Sequence, residues 1–123
     1  MFINLSTFNL DLCFLVDKGY VQHDIITIPS TVKEINEYQF CGISFAKTVV
    51  IESGVTKIGA NAFKNCGILE EIYIPTTVVE IETDVFSNNP NLKIYYEGNS
   101  VPETWNENWN SGNKPIYFEK KYE

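Results

Sequence analysis

Phe40, Phe63 and Phe86 lie 23 residues apart, and most of the apolar pattern around them repeats with the same period. Ile28, Ile51 and Ile74 keep that spacing, as do Val32, Val55 and Val78, then Ile35, Ile58 and Ile81, then Ile26, Val49 and Ile72. A fixed period of roughly 20–50 residues with matching apolar positions marks a solenoid. Units this small cannot bury an apolar face alone, so they stack and share one continuous core. The 123 residues are long enough for one such domain. The period divides it into an N-terminal cap (1–25), about three repeats (26–98) and a C-terminal cap (99–123).

Within each repeat, Ile26-Thr27-Ile28, Val49-Val50-Ile51 and Ile72-Tyr73-Ile74 alternate at strand spacing. Pro29 and Pro75 end that strand by removing a backbone donor, and Glu52 stands at the same place in the middle unit. A second short extended piece, residues 32–35 and its equivalents, leads into 37–40, 60–63 and 83–86. Those pieces read as one helical or 3₁₀ turn that seats each Phe in the core.

The two ends read as caps, because an open solenoid end leaves unpaired backbone groups. Residues 11–28 predict a hairpin. Leu12, Phe14 and Val16 alternate with Cys13 and Leu15, Asp17-Lys18-Gly19 supplies a three-residue turn, and 20–28 returns. At the other end Trp105 and Trp109 are four apart, so a short helix opened by Ser100-Val101-Pro102 would put both on one face, over Phe86. The alternative is an exposed aromatic ligand platform. Residues 116–118 then supply a closing strand.

The pattern Leu69, Ile72, Ile74, Pro75, Val78, Ile81 and Phe86 resembles the BspA-like, or Treponema-type, leucine-rich repeat, with residues 58–69 the most faithful stretch. Val85 and Asn89, and Gln39 and Ile43, depart from the small and cysteine residues of that pattern and predict weaker local packing. The tail, with Ile94-Tyr95-Tyr96-Glu97, Pro102, Trp105, Trp109 and Pro115-Ile116-Tyr117-Phe118, is similar to the closing segment of many bacterial proteins with these repeats. The resemblance implies a right-handed, β-rich leucine-rich-repeat solenoid, α/β by class. It also implies a non-enzymatic module for protein–protein recognition, with adhesion at a cell surface as a family role. A structural spacer or cap of a larger surface protein is the alternative, and an enzyme with an unrecognised site the third reading.

Nine basic against sixteen acidic residues give a net charge of -7. That field opposes nucleic acid, which is bound by releasing counterions through Lys and Arg, and it opposes anionic lipid. Three cysteines without a C-x-x-C spacing argue against a disulfide framework or zinc site. Cys66 and Cys13 read as small buried side chains and Cys41 as a partly exposed thiol. His23, the single histidine, reads as an edge residue of the returning strand. No catalytic, cofactor or metal residues are expected, and the protein partner is expected to meet a monomer. No stretch has the roughly 20 apolar residues of a membrane span. Residues 1–16 lack the features of a signal peptide, so the chain stays inside the cell or has lost a leader. The triplet Asn4-Leu5-Ser6 matches a glycosylation sequon.

Positions one period apart become lateral neighbours, so surface columns follow from the sequence. Asp24, Lys47, Glu70 and Lys93 form one column, and Glu34, Lys57 and Glu80 another. Both alternate in sign and favour the correct stacking register. A third column, Thr27, Val50, Tyr73 and Tyr96 (or Tyr95, if the closing strand is one residue shorter), lies between inward-facing Ile positions. Aromatic residues there are either simply good strand formers or contact residues, and on the second reading the column is the expected partner-binding face, since Tyr gives large contact area for few rotors.

Overall fold

The computed structural model describes residues 12–123. Residues 1–11 of the N-terminal cap, the Asn4-Leu5-Ser6 triplet and the side chain of Cys13 lie outside the described residues. The element order is α1 (Leu12–Asp17), β1 (Val21–Gln22), β2 (Ile25–Ile28), β3 (Glu34–Ile35), β4 (Thr48–Ile51), β5 (Lys57–Ile58), β6 (Glu71–Ile74), β7 (Glu80–Ile81), β8 (Lys93–Tyr96) and β9 (Ile116–Tyr117). A long sheet runs β1-β2-β4-β6-β8-β9 and a short one β3-β5-β7. The molecule is a β-rich solenoid. Each of the first three coils supplies one strand to the long sheet, turns a corner, and crosses to the short sheet. It then returns through a turn segment that carries the core Phe.

Register follows the period. Ile26 sits beside Val49 and Ile28 beside Ile51, then Val49 beside Ile72, all buried. The last coil is one residue shorter: Ile72 pairs with Ile94 and Ile74 with Tyr96. The long sheet therefore holds four coil strands, β2, β4, β6 and β8, where three repeats were expected. Phe40 and Phe63 stack with ring centroids 5.4 Å apart, and Phe63 and Phe86 at 6.1 Å.

The turn segments are not helical. In the first, the amides of Tyr38, Phe40 and Gly42 donate to the carbonyls of Ala60, Ala62 and Lys64 in the next coil. The intervening amides of Gln39, Cys41 and Ile43 donate three residues back within their own coil. A helix would satisfy every amide internally and leave nothing to bind the neighbouring coil. The alternation needs left-handed residues, and they recur with the period: Tyr38, Asn61 and Asp84, then Gly42, Asn65 and Asn88. Asn, Asp and Gly tolerate that conformation best. Gly59 is required for another reason, because a Cβ there would lie 2.6 Å from the Glu37 backbone nitrogen.

Asn89 is fully buried, and its polar groups are matched rather than loosening the core. Its side-chain amide donates to Phe63 O and Phe86 O at 2.9 Å, and its Oδ1 accepts from Cys66 N at 3.0 Å. Cys66, one coil earlier, is also buried and makes the corresponding bond from Sγ to Phe40 O at 3.2 Å. Burial pushes the Cys66 thiol above its usual range. Cys41 is partly exposed, as expected.

Both caps differ from expectation in local structure. Residues 12–16 are helical, not a strand, and Gly19 closes the helix in a left-handed conformation (φ 80), with Tyr20 N donating to Leu15 O at 2.8 Å. The hairpin lies wholly within 21–28, with Val21 opposite Ile26. His23 occupies its two-residue turn at φ 56, exposed, instead of lying in the strand. Trp105 and Trp109 sit on successive tight turns, not a helix, with Trp105 N donating to Pro102 O and Trp109 N to Asn106 O. They are 5% and 8% exposed, so they are core residues and not a platform. Trp109 meets Phe86 edge-on at 6.2 Å, and Trp105 Nε1 donates to Val78 O at 3.1 Å. This segment follows the coil path once more. Asn106 N bonds Ile81 O, Asp84 N bonds Asn108 O, and β9 pairs in parallel with β8.

Candidate recognition surface

The outward column of the long sheet starts with small side chains and ends in tyrosines. Thr27 pairs with Val50, Val50 with Tyr73, Tyr73 with Tyr95, and Tyr95 with Tyr117. Tyr96, expected on this face, is 4% exposed and points into the core, against Trp105 at 4.9 Å. The shorter last coil is the reason. It moves Tyr95 into the outward position and gives Tyr96 the inward place of Ile74. Tyr117 was not anticipated on this face, although its alternation in Ile116-Tyr117-Phe118 was a usable signal.

In-register strands stand about 4.8 Å apart, which is stacking distance for aromatic rings. Tyr73 and Tyr95 accordingly stack at 4.8 Å with planes 13° apart, and Tyr95 and Tyr117 at 5.3 Å and 23°. The ladder ends at Tyr73 because its other neighbour is Val50. The Tyr73 hydroxyl donates to Glu71 Oε1 at 3.1 Å. Desolvation, with the Glu71 carboxylate adding to it, pushes the Tyr73 phenol up to about 12, so it is a neutral donor throughout the physiological range.

At this end of the ladder lies a groove of about 290 Å³, lined by Val50, Tyr73, Pro75, Glu97, Lys121 and Tyr122 among others. Its acidic rim is held in place by a device that repeats along the solenoid. Pro29, Glu52, Pro75 and Glu97 occupy equivalent positions at the strand ends. Glu52 Oε1 accepts from Ser30 N at 3.0 Å, and Glu97 Oε1 accepts from Thr76 N and Oγ1 at 3.3 Å. Each proline that ends a strand is thus followed by an amide that the next coil's glutamate satisfies.

The short sheet carries the second charge column. Glu34 pairs with Lys57 and Lys57 with Glu80. Lys57 Nζ lies 3.6 Å from Glu82 Oε2 and 3.7 Å from Glu80 Oε2. Glu82, then Glu80, raise the Lys57 ammonium above its ordinary value. In the first column, Lys47 N bonds Asp24 O and Glu70 N bonds Lys47 O. Lys93 stands opposite Glu71 rather than Glu70, for the same one-residue reason as Tyr95. Among the described residues no group of three or more His, Cys, Asp or Glu is placed to hold a metal ion, and no helix is long and apolar enough to cross a membrane.

The family model described as BspA type Leucine rich repeat region (6 copies) matches residues 19–106, most of the chain. The chain belongs to the BspA-type leucine-rich-repeat family. No curated protein and no solved structure matches it significantly. The match begins just before the β1–β2 hairpin and ends just past Trp105, so the hairpin and the turn that carries Trp105 fall within the family's span. A BspA-type repeat module is generally a protein-interaction scaffold of a typically non-enzymatic class.

Proposed function

We propose that this chain is a protein-recognition module and that it binds through the outward face of the long sheet, centred on Tyr73 and Tyr95. The observation that carries this reading is the ladder itself. A solvent-facing column of three stacked tyrosines goes beyond what strand formation needs, and tyrosine is enriched where proteins meet. The coils upstream place only Thr27 and Val50 in the same column, so the aromatic surface is concentrated at one end, beside the groove. Cell-surface adhesion is the specific role that the family resemblance supports, and a spacer role is the competing outcome.

The test is a binding panel of purified extracellular-matrix proteins, read with the wild-type chain and with Tyr73→Ser/Tyr95→Ser, the fold of both checked by circular dichroism. A partner bound by the wild type and lost by the variant supports recognition through this face. A partner bound equally by both removes it.

A further inference from the structure

The tyrosine face is already partly occupied, by residues 119–123 of this chain. Glu119 bends the backbone at φ 57, and its amide and that of Lys120 bond to Gly98 O and Tyr96 O at 2.9 and 3.0 Å. Beyond that anchor the segment crosses the groove. Lys121 Nζ approaches Glu97 Oε2 at 4.0 Å, and the Tyr122 ring meets Tyr73 edge-on at 5.2 Å. Oε1 of Glu97 is committed to Thr76, which leaves Oε2 as the free acceptor for a cation. Without Lys120 and Lys121, the groove keeps Glu52 and Glu97 at its rim and Tyr73 in its wall, an acidic and aromatic surface.

From this geometry we infer that the face recognises an extended peptide segment carrying a basic residue followed by an aromatic one, and that residues 119–123 are a strap occupying the site in the same manner. The inference rests on the recognition reading above and names the partner's chemistry. Size agrees with a peptide. Strands β2 to β9 span about 19 Å and four residues of strand about 13 Å, so the face covers about 250 Å². That is well below the roughly 800 Å² per partner of a standard globular interface. Charge agrees too, since a chain of net charge -7 draws basic segments. The strap is held weakly. Lys121 is largely exposed at 76% of its side chain, and an exposed ion pair contributes little. The ring contact is a single edge-to-face pair. A partner therefore competes with a closed state about 2 to 20 times as populated as the open one.

The probe is the end-blocked peptide acetyl-Lys-Lys-Tyr-Glu-amide, titrated by NMR into the wild-type chain and into Lys121→Glu/Tyr122→Ser. Opening the strap raises apparent affinity by the reciprocal of the open fraction, about 3- to 20-fold for contacts of this strength. The shifted resonances are expected at Tyr73 and Glu97, and a peptide with Ser in place of Tyr is expected to bind more weakly. Equal affinity for both chains, or shifts elsewhere on the surface, overturns the strap and its peptide chemistry. Neither result touches the matrix-protein panel with Tyr73→Ser/Tyr95→Ser, so the two readings fail separately.

Discussion

Asn89 gives the sharpest stability test, because the fold treats a polar residue at an apolar position as a structural bracket. Asn89→Ala removes the acceptor for Cys66 N and a donor each to Phe63 O and Phe86 O. Ser87 O loses a 3.2 Å bond but keeps the one from Asn65 N at 2.9 Å. A buried amide left unpaired costs about 1–3 kcal/mol, and each bond lost at a carbonyl about 0.5–1.5 kcal/mol. The expected destabilisation is about 4 kcal/mol, within a range of about 2–6 kcal/mol. For a chain of this length 1 kcal/mol moves Tm by about 4 °C, so Tm falls by about 16 °C. Asn89→Cys is expected to fall by less, because Cys66 shows that a thiol here reaches the preceding Phe carbonyl. Urea unfolding followed by Trp105 and Trp109 fluorescence, with thermal melts by circular dichroism, measures both. Asn89→Ala within about 1 kcal/mol of wild type, or Asn89→Cys no better than Asn89→Ala, would refute the bracket.

Phe63 has stacking partners on both faces and is 1% exposed. Phe63→Ala is expected to cost about 3–5 kcal/mol by urea unfolding, and a loss below about 1.5 kcal/mol would mean the coils are not joined through this stack. Lys57→Glu is expected to lower Tm more than Lys18→Glu, because only Lys57 faces two carboxylates; equal shifts would count against the charge ladder. The Lys57 ammonium is raised in the folded state, so its contribution is complete below the unfolded value near 10.5 and is lost as pH rises through the folded one. Wild type and Lys57→Met should therefore converge in Tm at strongly alkaline pH, and a constant gap would contradict the assignment.

Much of this was legible because a solenoid converts sequence period into lateral neighbourhood. The columns through Ile26, Val49 and Ile72 and through Glu34, Lys57 and Glu80 needed only counting. What escaped the reading did so for identifiable reasons. One missing residue before β8 is invisible in an apolar pattern, since Ile94-Tyr95-Tyr96 offers a tyrosine to either face. The structure settles it, with Tyr95 outside and Tyr96 in the core. Leu12, Cys13, Phe14, Leu15 and Val16 are all apolar, so alternation could not separate strand from helix there. The left-handed positions left a trace in Asn61, Asn65, Asp84 and Asn88, but Tyr38 breaks it in the first coil. The strap was not legible at all, because Lys121 and Tyr122 lie outside the period and meet Glu97 and Tyr73 only through the fold.

The central claim is that recognition belongs to the tyrosine face of the long sheet. The most direct measurement compares, for one matrix protein bound by the wild type, the Kd of Tyr73→Ser/Tyr95→Ser with that of Lys57→Glu on the short sheet. Loss of binding for the tyrosine variant with the Lys57 variant unchanged is the expected result. Retained binding by the tyrosine variant, with loss in Lys57→Glu while that chain stays folded, would place recognition on the short-sheet face instead and contradict the account.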